Sequence, residues 1–174
     1  MRGENGINTP RLTLRPLTGA DAGVIIVGVG EYDIARWLLV VPHPYTRADA
    51  EAFLAFAAGR PDHWAITHAG ALIGVISCDA ELGYWLAKPF HGQGFATEAV
   101  LAVLERVFAD PAREAVPATR RTGNAASARV LAKAGFTYTG ARIRKQARAV
   151  GAEVESRCMI LSRMRWQQSQ ARGG

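Results

Sequence analysis

The stretch that decides the fold is His91-Gly92-Gln93-Gly94-Phe95-Ala96, because it joins two segments of different periodicity. Residues 81–87, which precede it, are rich in apolar and aromatic side chains and end at Lys88-Pro89, as is typical of a β-strand. Residues 97–109, which follow it, repeat apolar side chains at helical spacing. A glycine-rich turn between a strand and a helix leaves the first backbone N–H groups of the helix free to bind an anion. The sequence therefore predicts a phosphate-binding loop at this junction.

Two other classes of glycine loop do not fit this stretch. A Walker loop ends in Gly-Lys-Ser/Thr, which is absent, and the dinucleotide fingerprint needs a third glycine where this chain has Thr97. Two glycines can also make a tight turn that binds nothing. Taken alone, the loop sequence fits two interpretations equally well, an anion-binding site and a tight turn that binds nothing.

The segments on either side of the loop complete a mixed pattern. Before the loop, the pattern predicts a strand over 11–17, a weak helix over 22–39 interrupted near 28–30, a helix over 46–59 capped by Thr46, and a β-hairpin over 63–78. After it come a strand over 115–120, a helix over 125–134 and strands over 136–143 and 158–164. This order predicts an α+β fold with a mixed, mostly antiparallel central sheet of about seven strands and helices on both faces.

Length and composition fit one domain. The chain has 174 residues, 49% of them hydrophobic and 21% charged, which is enough for a single core. We expect a domain over 9–166 and loose tails over 1–8 and 167–174, since both ends lack apolar periodicity. No apolar run reaches the roughly 18 residues that cross a bilayer, and no signal-peptide pattern opens the chain, so we expect a cytoplasmic protein without membrane contact. Cys78 and Cys158 lack metal-site spacing, so we expect reduced, buried thiols and no metal.

The formal charge of +6 favours anionic partners such as CoA phosphates, an acidic protein or RNA. Lys and Arg are scattered, however, and no basic block is interleaved with aromatic residues. Nucleic acid is therefore not expected as a direct ligand, and most of the charge is expected to be a solvated surface.

Together with a second motif, the loop resembles the GNAT superfamily of N-acetyltransferases. The family's phosphate motif, Arg/Gln-x-x-Gly-x-Gly/Ala, corresponds to residues 91–96, and residues 124–136 resemble the helix that lines the pantetheine and thiol end of CoA. Stretches 11–17, 44–46 and 83–86 are similar to the ribosomal-protein and peptide N-acetyltransferase branch. The resemblance runs from Arg11 to about Trp166. It implies the acyl-CoA N-acyltransferase fold, with acetyl-CoA as the co-substrate.

The resemblance also implies a set of CoA-binding residues along the strand end, the loop and the second motif. They are Leu86, His91, Gly92, Gln93, Gly94, Phe95, Ala96, Thr97, Asn124, Ser127 and Lys133. Three positions depart from the family pattern. His91 stands where many members carry Arg or Gln, Leu131 stands where many place a Tyr that protonates the departing thiolate, and Pro117 removes an N–H group from a presumed strand.

The chemistry needs a proton acceptor for the amine, support for the oxyanion and a partner for the leaving thiolate. Glu81 is the candidate general base, acting through a water, although a solvated strand-end carboxylate is an equal interpretation. Ser127 is the candidate acid or hydrogen-bond donor to the thiolate, and Asn124 either caps its helix or bonds pantetheine. The resemblance implies that a backbone N–H within 85–87 faces the thioester carbonyl.

The leading hypothesis is acetyl transfer to the α-amine of a protein or peptide N-terminus, as the branch resemblance implies. Three alternatives stay open. They are acetylation of a small amine such as an aminoglycoside, polyamine or amino-acid derivative, a catalytically silent CoA-binding or interaction module, and an RNA-binding accessory protein. Dimers are common in the resembling branch, so a homodimer also stays open.

Overall fold

A computed structural model describes residues 6–173, and its centre is an eight-stranded mixed sheet ordered β1-β2-β3-β4-β5-β6-β8-β7. Every neighbouring pair is antiparallel except β5 and β6, which run parallel. This confirms the predicted fold class. The strands are β1 Ile7–Asn8, β2 Thr13–Arg15, β3 His63–His68, β4 Ala71–Cys78, β5 Leu82–Leu86, β6 Ala115–Arg121, β7 Thr137–Ala147 and β8 Ala152–Ser162.

Helices cover both faces of the sheet, as predicted. One face carries α1 to α3 around a core that includes Ile25, Leu54 and Val75. The other face carries α4 and α5 around a larger core that includes Val103 and Leu131. The helices are α1 Ala22–Gly30, α2 Tyr32–Ala35, α3 Arg47–Ala57, α4 Phe95–Phe108, α5 Ala125–Lys133 and α6 Arg163–Gly173.

The two ends of the chain differ from the prediction of loose tails. Ile7–Asn8 pair with β2 as an edge strand, and Arg163–Gly173 form a helix. The helix is polar beyond Trp166, so it shows no apolar period. It is anchored by the Trp166 ring, which is 8% exposed and stacks on Phe108 with the ring centroids 5.7 Å apart. The remaining tail residues, 1–5 and 174, lie outside the described residues.

The last two strands are also longer than predicted. Most side chains of β7 are exposed, so its sequence lacks the apolar alternation that marks a half-buried strand. Pairing with β8 along its length defines the strand instead. Long-range pairing therefore sets these bounds, and the local sequence does not.

The sheet opens between β5 and β6, which pair only at Leu82 and Ala118. In the neighbouring β6–β8 ladder, Thr122 N–H donates to Glu155 O at 2.9 Å and Arg163 N–H donates to Glu114 O at 2.8 Å. Because hydrogen-bonded pairs alternate along an antiparallel ladder, the nitrogen of Pro117 faces β5. Pro117 thus costs the β6–β8 ladder no bond. The register of this strand, which the sequence left open, places Pro117 opposite Ile160.

Helix α1 approaches β5 so closely that Gly28 has no room for a side chain. A Cβ at Gly28 would lie 2.7 Å from Cζ3 and 2.9 Å from Cη2 of Trp85. The indole is a rigid group packed between the helix and the sheet. The contact therefore fixes Trp85 at the open edge of β5.

We expect Gly28→Ala to lower the free energy of unfolding by about 1–3 kcal/mol, the usual cost of overpacking a core. The matched control is Gly23→Ala in the same helix, where an added Cβ has nothing within 4 Å. That variant should raise the free energy of unfolding by about 0.5 kcal/mol, because Ala loses less backbone entropy than Gly. Urea unfolding measures both. Equal changes in the two variants would contradict the close contact.

Candidate active site

A cleft of about 990 Å³ is lined from both sides of the opening between β5 and β6, and we group its lining residues into a loop arm and a sheet arm. The loop arm comprises the lining residues within 86–97 and 124–133, on the α4–α5 side. The sheet arm comprises the lining residues within 36–41 and 145–148 together with Thr119, Arg121 and Ser156, on the α1–α3 side. All the predicted CoA-binding residues line this cleft except Gln93, which lies between two of them. The structure therefore brings the predicted set together.

The glycine loop ends in free helix amides, as predicted. Gly92 and Gly94 have φ values of 75° and 83°, in the left-handed region that favours glycine. Gly94 precedes α4, and the first intrahelical bond runs from the Glu98 N–H to the Gly94 carbonyl at 3.0 Å. The N–H groups of Phe95, Ala96 and Thr97 therefore have no partner within the helix. Free N–H groups and the positive end of a helix dipole are the arrangement that favours an anion, so the predicted phosphate site has its donors in place.

The loop is braced from outside by Arg11, a contact that sequence reasoning missed. Arg11 Nη1 donates to Gln93 O at 3.0 Å, and its Nε donates to Glu98 Oε2 at 2.7 Å. The guanidinium lies 4.5 Å from the centroid of the Phe95 ring. Thr9 Oγ1 adds a hydrogen bond of 2.6 Å to Glu98 Oε1. The segment between β1 and β2 thus holds the first turn of α4 in place.

The pKa of Glu98 gives this brace a pH dependence. Burial opposes ionisation, but hydrogen bonds from Thr9 and Arg11 outweigh it, so the pKa of Glu98 is lowered from 4.5. A lowered pKa stabilises the fold above the unfolded value, and that stability is lost as pH falls through the folded pKa. Acid should therefore weaken the support of the loop.

We expect Glu98→Gln to lower the free energy of unfolding at pH 7 and to approach wild type as the pH falls through the lowered pKa of Glu98, because the native carboxylate is then protonated as well. Urea unfolding at several pH values measures the difference. Glu105→Gln is the matched control, because Glu105 lies exposed on the same helix. A gap between Glu98→Gln and wild type that does not change with pH would contradict the assignment.

The His91 ring is turned towards β5. Its Nε2 lies 2.7 Å from Leu86 O, and because a carbonyl only accepts, Nε2 carries the proton. Gln93 is similarly engaged, since its Nε2 donates to Pro89 O at 2.8 Å. Both side chains hold the shape of the loop. The anion site accordingly rests on the backbone.

Two hydroxyl groups meet across the cleft between β5 and α5. Asn124 Oδ1 accepts a hydrogen bond of 3.0 Å from Ser127 N–H, so Asn124 caps α5. Tyr84 Oη lies 3.1 Å from Ser127 Oγ. Burial raises the pKa of Tyr84 to about 12, and the hydrogen bond with Ser127 offsets this only in part. The Tyr84 hydroxyl therefore stays protonated at neutral pH.

Tyr84 was missed as a site residue, although strand alternation held a signal for it. Leu82 and Leu86, two residues away on either side, are buried against the α4–α5 core, and Tyr84 packs there too. Trp85 points the other way, towards α1 to α3. Leu131 stands at the position where many members of the resembling family have a tyrosine, and it is 1% exposed in the same core.

Two carboxylates line the cleft, and they differ in their partners. Asp33 Oδ2 lies 3.1 Å from Lys88 Nζ, and Asp33 Oδ1 lies 3.9 Å from Arg36 Nε. The hydrogen bond from Lys88 and the charges of Lys88 and Arg36 lower the pKa of Asp33. Glu81 makes no hydrogen bond or ion pair with any of residues 6–173. Of the two carboxylates, Glu81 is therefore the one without a cationic partner among the described residues.

The aromatic residues divide between core and cleft. Trp64 is 3% exposed and belongs to the core, whereas Trp37, Tyr45 and Trp85 line the cleft. The guanidinium groups of Arg36 and Arg121 lie 4.8 and 5.3 Å from the Trp37 ring centroid. Cys78 is buried and Cys158 half-buried, and both thiols are free. Within residues 6–173, no group of three or more His, Cys, Asp or Glu side chains could hold a metal ion.

A parted mixed sheet beside free helix amides defines an acyl-CoA-dependent transferase. The family model described as "Acetyltransferase (GNAT) domain" matches residues 11–137. The chain therefore belongs to the GNAT acetyltransferase family and uses acetyl-CoA as its co-substrate. No helix in the described part of the chain is long and apolar enough to cross a membrane.

Solved structures share the fold at low sequence identity. A GNAT-family acetyltransferase from Bacillus anthracis superimposes with a TM-score of 0.79 at 19% identity, over 90% of this chain and 98% of its own. The ribosomal-protein-S5-alanine acetyltransferase from Vibrio fischeri gives 0.78 at 19%, over 94% and 99%. The microcin C7 self-immunity acetyltransferase MccE, solved with acetyl-CoA and AMP, gives 0.77 at 16%, over 92% and 98%. A comparison with curated protein sequences gives no match.

Proposed function

We propose that the protein acetylates the α-amine of a protein or peptide N-terminus by direct attack on acetyl-CoA in a ternary complex. The continuity of the cleft carries this proposal. Tyr84 and Ser127 line the cleft on one face of β5, and Trp85 lines the same cleft on the opposite face. A thioester and an amine can therefore meet at the opening without a covalent acyl-enzyme.

The sheet arm can accommodate the N-terminal end of a peptide. It is lined by the mostly apolar segment 37–41, and Val40 at its rim is 77% exposed, so the arm opens to solvent. A peptide can enter it while the rest of the acceptor stays outside. The Vibrio fischeri neighbour is named for an alanine of a ribosomal protein, and stretches 11–17, 44–46 and 83–86 resemble the same branch. Both observations support a protein or peptide acceptor.

Acetyl-CoA supplies the activated acyl group, and the loop arm holds it. The free N–H groups of Phe95, Ala96 and Thr97 bind the pyrophosphate. Asn124 and Ser127 at the start of α5 flank the pantetheine, and exposed Lys133 lies at the outer end of the same helix. This role explains why His91 can replace a family Arg or Gln, since the anion is held by main-chain donors.

The Tyr84–Ser127 pair acts on the leaving thiolate. An ordinary thiol has a pKa of about 8.5, well below that of Tyr84, so the thiolate does not remove the tyrosine proton. The paired hydroxyls instead stabilise the developing negative charge as hydrogen-bond donors. Ser127 is the donor in contact with the sulfur, and Tyr84 orients and polarises it.

Glu81 takes the proton of the attacking amine through a water. It lies just before β5, two residues from Gly83 and four from Trp85, and it lines the same cleft. Continuing the strand alternation by one residue would turn Glu81 to the face of Trp85, which is the acceptor side of this proposal. Asp33, the other cleft carboxylate, is held as an anion by Lys88 and Arg36, so it is a weaker base. These contacts favour Glu81.

We expect Tyr84→Phe to lower kcat about tenfold, because the thiolate loses one polarised donor, with little change in the KM for acetyl-CoA. Ser127→Ala should lower kcat by at least as much. Steady-state thiol release measures both. Tyr138→Phe is the matched control, since Tyr138 bonds Arg120 and lies outside the cleft. An unchanged kcat in Tyr84→Phe would remove the pair from the mechanism.

Thiol release from acetyl-CoA with a panel of peptides and small amines tests the function itself. We expect release with peptides that carry a free N-terminus and none with the same peptides blocked at that end. Release should fall in Glu81→Gln, which separates enzymatic from spontaneous transfer. Turnover of small amines alone would overturn the peptide acceptor. CoA binding without turnover of any amine would indicate a silent binding module.

A further inference from the structure

The positive charge of the protein is concentrated in the cleft. Its lining carries two carboxylates and eight Lys and Arg side chains, a formal charge of +6 that equals the charge of the whole chain. Charges elsewhere therefore balance, and a cleft of one sign focuses the field on its ligands. The eight are Arg36, Lys88, Arg120, Arg121, Arg129, Lys133, Lys145 and Arg148.

Only part of this charge faces the CoA side. Lys88, Arg129 and Lys133 lie on the loop arm, and Arg120 is occupied by Tyr138 Oη and by the carbonyls of Arg121 and Asn124. The sheet arm keeps four cations. Two of these are partly engaged, because Arg36 pairs with Asp33 and Arg148 Nη1 donates to Val40 O at 3.3 Å.

The other two, Arg121 and Lys145, keep free donors. Arg121 Nη1 donates to Arg36 O, and the other guanidinium N–H groups make no hydrogen bond within the described residues. Lys145 Nζ has no hydrogen bond or ion pair there either. Both side chains line the sheet arm. The sheet arm therefore presents cationic donors that have no anionic partner among the described residues.

A buried hydroxyl points into the same arm. Ser156 is 0% exposed, lines the cleft, and its Oγ has no hydrogen-bond partner among residues 6–173. Ser156 on β8 pairs with Arg121 on β6. Val154, two residues before Ser156 on the same strand, pairs with Lys145 on β7. Paired positions in a sheet share a face, so the three side chains project together. An unpaired buried hydroxyl is costly, and a ligand atom that accepts its hydrogen bond removes that cost.

We propose that the sheet arm is an anion subsite that selects acceptors with a carboxylate near the reacting amine, bound by Arg121, Lys145 and Ser156. The inference rests on the proposed function and names its acceptor class, an N-terminus followed closely by an acidic side chain. None of these three donors has a carboxylate partner among residues 6–173, and together they match a carboxylate ligand. The same positive field disfavours the ammonium form of the amine, so it increases the neutral form that attacks.

The test compares kcat/KM for peptides of one length that carry Glu, Gln or Lys at the second and third positions. We expect Glu peptides to exceed Gln peptides by about tenfold, the effect of one charge-assisted bond, and Lys peptides to be poorest. Lys145→Glu should reverse the order of Glu and Lys peptides, and Ser156→Ala should reduce the Glu preference about threefold. Arg144→Gln is the matched control. Arg144 is exposed on the same strand, pairs with Glu153 and lies outside the cleft, so this variant should keep the wild-type preference.

The outcomes separate the subsite from the proposed function. Peptide acetylation with no preference for Glu, or a preference unchanged in Lys145→Glu, would overturn the subsite and leave the peptide acceptor standing. Acetylation of free glutamate but not of peptides would keep the subsite and overturn the peptide acceptor. If no amine turns over, calorimetry on the CoA complex decides, since Glu peptides must then bind more tightly than Gln peptides.

Discussion

The parting of β5 from β6 is the constraint on which the rest of the site depends. Apart from the single pair Leu82 and Ala118, each strand is held by its outer neighbour. Ala87 N–H donates to Ile73 O at 2.8 Å beyond the end of β5, while β6 pairs with β8 along its full length. Position 74 on β4 requires glycine, because a Cβ at Gly74 would lie 2.2 Å from Trp85 O. The strands therefore diverge without losing their places in the sheet, and main-chain groups at the opening are left for a ligand.

The second requirement is a rigid loop beside this opening. Main-chain N–H groups bind an anion well only when their directions are fixed. Three sets of side-chain contacts fix them here. Arg11 and Glu98 clamp the first turn of α4, Gln93 bonds Pro89, and His91 bonds Leu86 at the end of β5. The side chains of His91 and Gln93, which the motif would assign to the ligand, thus form hydrogen bonds with backbone carbonyls of the protein. In this chain the first position of the motif, His91, bonds a strand carbonyl.

The sequence revealed what is local and missed what depends on distant pairing. The strand, the glycine turn and the helix around residues 81–109 carry their own periodicity and capping signals, so their order and the loop were predicted correctly. Tyr84 and Ser127 are 43 residues apart, and no local pattern shows that their hydroxyls meet. The position of Ser156 beside Arg121 likewise depends on the register between β8 and β6, which the local sequence does not show. The anchor of α6 was hidden for the same reason, since it depends on one ring packed against Phe108.

The charge of the cleft also accounts for the departure at Leu131. A family tyrosine there would supply a proton donor for the thiolate, yet Leu131 is buried among apolar residues and supplies none. In the proposed mechanism, a lining of +6 stabilises the leaving thiolate through its field, so a strong acid is not needed at that position. Hydrogen bonds from the Ser127 and Tyr84 hydroxyls, which lie 3.1 Å apart, would complete this stabilisation. The potential that attracts the CoA anion would then also ease departure of the thiolate and keep the amine neutral, so one distribution of charge would serve binding and chemistry together.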